Sequence, residues 1–131
     1  KVVSYAQGLG IIRAASDAMK WDVDLALCAR MWRGGCIIRA KLLAKIQDAV
    51  KKDEKLANLM VDPTFAEELN ARHMAWRRIV TLGIANGIAT PALSSSLAYY
   101  DQYRRGRLPA NLVQAQRDFF GGHTYQRTDR E

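Results

Sequence analysis

Only two cysteines, Cys28 and Cys36, occur in 131 residues. That is too few for a disulfide scaffold, and their spacing matches no CxxC metal or redox pattern. Two packed thiols in a reducing compartment, and hence a cytoplasmic address, is the reading that follows. Histidine is as scarce: His73 and His123 alone rule against a multi-histidine metal site, so no metal is expected. No apolar run approaches the roughly 20 residues that cross a bilayer, which argues against a membrane partner. The sequence opens on Lys1 with no charged-then-apolar secretory segment after it. Alternation of apolar and polar residues between turn signals is also lacking, so no sheet is predicted.

What is present is ordinary for a globular chain: 49% hydrophobic and 25% charged residues. The length is that of one domain, enough to bury about two-thirds of the surface that the unfolded chain exposes. The charge is less ordinary. Twenty Lys and Arg against 13 Asp and Glu leave a net +7, which points to an anionic partner without choosing among nucleic acid, membrane and a phosphorylated small molecule.

Helical periodicity runs almost throughout. Tyr5, Leu9, Ile12, Ser16 and Met19 share one helical face. A second helix carries Leu25, Cys28 and Trp32 up to Gly34-Gly35, and a third runs from about Ile37 to Val50 with Lys51 and Lys52 at its C-terminal end. Asp62-Pro63 and Thr90-Pro91 are cap-plus-proline starts. The stripe Phe65, Leu69, Trp76, Val80 and Ile84 follows the first, and Leu93, Leu97, Tyr100 and Tyr103 follow the second. Gly87 and Gly106 act as stops, while Pro109 opens a last helix through Leu112, Ala115 and Phe119 that Gly121-Gly122 ends. Trp21, Trp32 and Trp76 are the expected core anchors. The fold class is therefore all-α: a compact multi-helix domain over residues 1–120, then an extended polar tail over 121–131 that holds His123, Tyr125, Arg127 and Arg130. Such a tail gains little from its own core, and either frays or docks on another surface.

Few residues offer chemistry. Gly8-Leu9-Gly10 is not a dinucleotide loop, because the third glycine would fall at Arg13 and the segment lies inside a helix; close helix packing is the expected role. Ser94-Ser95-Ser96 reads as a capping and packing feature in a helix's first turns, and Glu67-Glu68 as charge placed in the first turn of a helix. Arg77-Arg78 and Arg104-Arg105 with Arg107 read as solvated faces, and His73 as a helix histidine without partner ligands. Arg117 and His123 stand out. A guanidinium offers a planar fork to phosphate or carboxylate, and a histidine six residues on, past the glycine stop, can donate to the same anion. On pattern alone that reading competes with a helix-end arginine satisfying carbonyls beside an exposed histidine.

Longer strings carry a resemblance. Met31-Trp32-Arg33-Gly34-Gly35-Cys36-Ile37-Ile38-Arg39 is similar to a segment of the 6-phosphogluconate dehydrogenase family. So is Leu108-Pro109-Ala110-Asn111-Leu112, continuing through Gln114-Ala115-Gln116-Arg117-Asp118-Phe119-Phe120 to Gly121-Gly122-His123-Thr124-Tyr125. Ser4-Tyr5-Ala6-Gln7-Gly8, Trp76-Arg77-Arg78 and Tyr99-Tyr100-Asp101-Gln102-Tyr103-Arg104 fall in the same order as in that family. The chain thus resembles the later part of the family's C-terminal all-helical domain, over essentially its whole length.

The resemblance implies an oxidoreductase of the pentose phosphate pathway. It would oxidise 6-phosphogluconate with NADP and decarboxylate the product to ribulose 5-phosphate without a metal. It also implies a homodimer in which Arg117 and His123 reach the neighbouring subunit's active site and bind substrate, the arginine at its phosphate. No segment here matches the family's N-terminal Rossmann glycine loop, its catalytic lysine or its acidic proton donor, so no catalytic or cofactor-binding residue is assigned. Gly122 stands where alanine is common. The expectation is a helical dimerisation and substrate domain that is inactive alone and works with Rossmann-containing sequence, on a separate chain if not on this one. Two rivals are a basic helical module for nucleic acid or another polyanion, with nucleic acid the weaker partner, and a purely structural partner chain.

Overall fold

The computed structural model describes residues 1–129, so Arg130 and Glu131, the end of the expected tail, lie outside the described residues. Among the described residues there are six α-helices and no strand: α1 Val2–Met19, α2 Leu25–Met31, α3 Leu42–Lys52, α4 Pro63–Ala85, α5 Pro91–Tyr103 and α6 Ala110–Gly121. A short 3-10 turn, Leu59–Val61, precedes α4. The all-α expectation holds. The chain divides into two compact units, Lys1–Leu97 and Ala98–Glu131.

In the first unit α2 packs on α3, and α1, α3 and α4 all meet at the 3-10 turn. The core gathers there. Phe65, Leu43 and Ile46 are its largest fully buried side chains, joined by Val3, Leu9, Leu25, Leu59 and Met60. The helix starts follow local chemistry. Asp24 caps α2 by accepting from Leu27 N at 2.9 Å. Buried Asp62 caps α4, its Oδ1 accepting from Thr64 N and Phe65 N at 3.0 and 3.2 Å, with Pro63 in the first turn. At the far end of α4, Gly87 takes φ +66°.

Three expectations are corrected. The third helix starts at Leu42 rather than near Ile37, and Ile37 is 100% exposed. The Tyr5 hydroxyl donates to the Ile38 carbonyl, the group that would otherwise accept from the amide one turn on. The tryptophans do not anchor the core: Trp21 is 60% exposed and Trp32 and Trp76 are half-buried. An indole N–H needs a partner, and Trp76 finds one at the surface by donating to the Leu93 carbonyl at 3.2 Å, tying α4 to α5. Gly8 and Gly10 are not sites of close packing, since a Cβ built on either would meet nothing within 4 Å. The close approach is at Gly83 instead, where a Cβ would lie 3.0 Å from Thr90 Cγ2 and 3.2 Å from the Ile88 carbonyl oxygen.

The second unit holds the end of α5, α6 and the tail. Tyr99 and Tyr103 stack at 6.0 Å, and Arg104 lies 4.9 Å over the Tyr100 ring while pairing with Asp101 at 3.2 Å. No residue of α6 is buried. Its C-cap Gly122 takes φ +61°, as the sequence expectation of a glycine stop requires.

Candidate anion site at the end of the last helix

The α6 terminus brings together the two residues singled out from sequence. Arg117 on α6 and His123 beyond its end line one open pocket of about 390 Å3, with Val113, Gln116, Phe120 and Gly121. The helix stops where Gly122 turns left-handed and its N–H returns to the Asp118 carbonyl at 2.8 Å. Thr124 follows with φ +55°, so His123 sits between two left-handed residues and the chain folds back along α6. The imidazole comes to rest over Gly121.

Side chains of α6 hold that reversal. Asp118 Oδ1 accepts from Thr124 N at 2.7 Å, and Gln114 Nε2 donates to the Thr124 carbonyl at 2.9 Å. Gln114 Oε1 accepts from Arg117 Nη1 at 3.2 Å. The tail is thus fastened to its own helix as far as Thr124, which its polar composition did not foretell. Further out, Arg127 and Asp129 form a bidentate pair at 2.8 and 2.5 Å, which holds the Asp129 carboxyl below its ordinary range. Gln114 and Asp118 were not picked out from sequence, because their partners are backbone groups; their placement one turn apart beside Arg117 is the only signal.

The other basic and acidic clusters have local roles. Arg104 is engaged by Asp101 and Tyr100, and Arg77 Nε donates to His73 Nδ1 at 3.4 Å. Glu67 and Glu68 lie in the second turn of α4 and not in its first, which begins at Pro63, and Glu68 bonds Lys45 of α3 at 2.6 Å, with Arg72 at 3.7 Å. That bond, and then the Lys45 charge, hold the Glu68 carboxyl below its ordinary range. Thr90 and Ser94 share a hydroxyl contact at 3.0 Å and Ser95 donates to the Pro91 carbonyl one turn back, so these hydroxyls are engaged locally within α5 and its start. Among the described residues no group of three or more His, Cys, Asp or Glu could hold a metal. The Rossmann phosphate loop, a glycine turn between a strand and a helix N-terminus, is not formed by Gly8 and Gly10, which lie in the middle of α1.

A guanidinium and an imidazole meet at one open mouth, on a helix none of whose residues is buried, and make a candidate anion site on an all-helical domain. Comparison with known proteins makes this specific. The family model for the 6-phosphogluconate dehydrogenase C-terminal domain matches residues 1–131, and the chain belongs to that family. It is 59% identical over 131 residues to 6-phosphogluconate dehydrogenase, decarboxylating 2, of Arabidopsis thaliana, which covers 100% of this chain and 27% of that protein. To 6-phosphogluconate dehydrogenase, decarboxylating, of Synechococcus elongatus it is 51% identical over 130 residues, 99% of this chain and 28% of that one. A solved Plasmodium falciparum 6-phosphogluconate dehydrogenase, studied apo, with its cofactor NADP+ and with its substrate 6-phosphogluconate, superimposes with a TM-score of 0.92 at 47% identity. It covers 99% of this chain and 28% of that one. The chain therefore spans a little over a quarter of the length of these relatives, and its place among their C-terminal domains leaves no need for the nucleic-acid reading.

Proposed function

We propose that this chain supplies the helical substrate and dimerisation part of an NADP-dependent 6-phosphogluconate dehydrogenase. That enzyme would oxidise and decarboxylate 6-phosphogluconate to ribulose 5-phosphate in the pentose phosphate pathway. Residues 1–120 would form the helical domain and 121–131 the tail. Arg117 binds the substrate phosphate through its guanidinium, and His123 donates to the same anion, the site being completed across a homodimer boundary. The observation that carries the reading is the meeting of Arg117 and His123 on one open pocket, six residues apart on either side of the helix stop. The basic excess supports an anionic ligand. Free Cys28 and Cys36 agree with a reducing, cytoplasmic setting, although relatives named as chloroplastic occur in the same family. No helix among the described residues is long and apolar enough to cross a membrane. No step through NADP is assigned to the described residues, and the cofactor would be bound mainly by the family's Rossmann domain.

The test is binding. A charge-assisted bond to phosphate contributes about 1.5–3 kcal/mol, so Arg117→Ala should weaken 6-phosphogluconate binding about tenfold or more, read by calorimetry. Unchanged affinity in that variant would remove the reading and favour a purely structural role. The chain alone should form no NADPH from 6-phosphogluconate and NADP; measurable turnover would show that the missing machinery is here after all.

A further inference from the structure

The pocket's two ligand-facing groups are not held by packing, since nothing on α6 is buried. The Arg117 guanidinium, and the backbone reversal that carries His123, are held by hydrogen bonds from α6 instead. Asp118 Oδ1 takes the Thr124 N–H at 2.7 Å, and Gln114 Nε2 gives to the Thr124 carbonyl at 2.9 Å, so both backbone polar groups of Thr124 are tied to α6. Gln114 also accepts from Arg117 Nη1 at 3.2 Å, so one amide fixes the tail and the guanidinium together. Thr124 is β-branched yet holds φ +55°, a conformation such residues avoid unless their surroundings impose it. Gly121 completes the arrangement: a Cβ there would lie 3.1 Å from His123 Nε2 and 3.2 Å from its Cδ2, so a side chain requires the imidazole to give way by a few tenths of an ångström.

We infer that Gln114, Asp118 and Gly121 are positioning residues that lock the reversal after α6, so that Arg117 and His123 address the same phosphate. The inference rests on the phosphate reading proposed above and adds to it the device that holds the site's geometry. Electrostatics makes it sharply testable. Asp118 is an anion beside an anion site, so if it acted only through charge, its removal would tighten phosphate binding. A clamp requires the opposite.

The experiment uses the full 131-residue chain, labelled for NMR, with 6-phosphogluconate and inorganic phosphate as probes. Without ligand, Asp118→Ala should speed exchange of the Thr124 amide about tenfold and abolish the proximity of the His123 ring to Gly121, whereas Asp118→Asn, which keeps the acceptor, should preserve both. With 6-phosphogluconate, Asp118→Ala, Gln114→Ala and Gly121→Ala should each weaken binding about fivefold or more at unchanged helicity. Asp118→Asn should bind as well as the parent chain or better. Equal or tighter binding by Asp118→Ala, together with loss of binding in Arg117→Ala, would overturn the clamp while leaving the phosphate site standing. Binding that survives Arg117→Ala, or a parent chain that binds neither probe, would overturn the phosphate reading and the clamp with it.

Discussion

At the scale of single residues, two glycines of this chain differ in what surrounds them, and that difference sets the sign of the same substitution. Gly83 faces Thr90 and the Ile88 carbonyl where α4 turns back toward α5, and one of those neighbours is backbone that cannot rotate away. Gly83→Ala should therefore cost about 1–3 kcal/mol through overpacking, seen as a lower urea midpoint at unchanged slope. Gly10 is mid-helix in α1 with open space where its Cβ would stand. Gly10→Ala should raise stability by roughly 0.5–1 kcal/mol, because alanine loses less backbone entropy on entering a helix. A loss of stability there would mean that α1 packs closely on something at that face.

Among the elements, α4 depends on its first residues. Asp62 is buried and accepts two of the amides that a helix start leaves unpaired. Asp62→Ala should cost about 1–2 kcal/mol and lower the thermal midpoint, with Asp62→Asn losing much less. Lys45 and Glu68 join α3 to α4. Because that pairing lowers the Glu68 pKa in the folded chain, its stabilising effect is complete above the ordinary glutamate value of about 4.3 and fades as pH falls below it toward the lowered folded value. Unfolding measured from pH 6 to pH 3 should show part of its acid destabilisation disappear in Lys45→Met. The starts of α4 and α5 were legible because Asp62-Pro63 and Thr90-Pro91 are local signals. The start of α3 was not, since a tyrosine 33 residues away captures the Ile38 carbonyl. Nor was the end of α1, where Lys20 takes the left-handed position usual for glycine and the Ser16 hydroxyl accepts from Val23 N to pin the turn. The same division applies to the site. Arg117 and His123 announce their chemistry by residue type, whereas Gln114 and Asp118 act on the backbone of a tail whose reversal only the fold reveals.

For the whole molecule, the telling feature is how much apolar surface α6 shows. Phe119 is 85% and Phe120 80% exposed, their rings edge-to-face at 5.6 Å, and Leu112 and Val113 are exposed on the same helix. Val113 and Phe120 also line the pocket of Arg117 and His123, so whatever covers this helix would help to wall the anion site. A second copy is the partner that the proposed homodimer supplies. In a two-fold contact each chain contributes both rings, and burying a phenylalanine is worth about 1.5–3 kcal/mol, against an association cost of roughly 4–15 kcal/mol. The four rings together supply about 6–12 kcal/mol, which reaches micromolar association only where the cost is at its lower end. Sedimentation of the chain between about 1 and 100 μM should therefore show a concentration-dependent dimer. Phe119→Ser with Phe120→Ser should shift it to monomer while leaving the helicity of both units intact, and should weaken 6-phosphogluconate binding in parallel. A double variant that dimerises like the parent would place the interface elsewhere, and would leave the α6 pocket as a site complete within one chain.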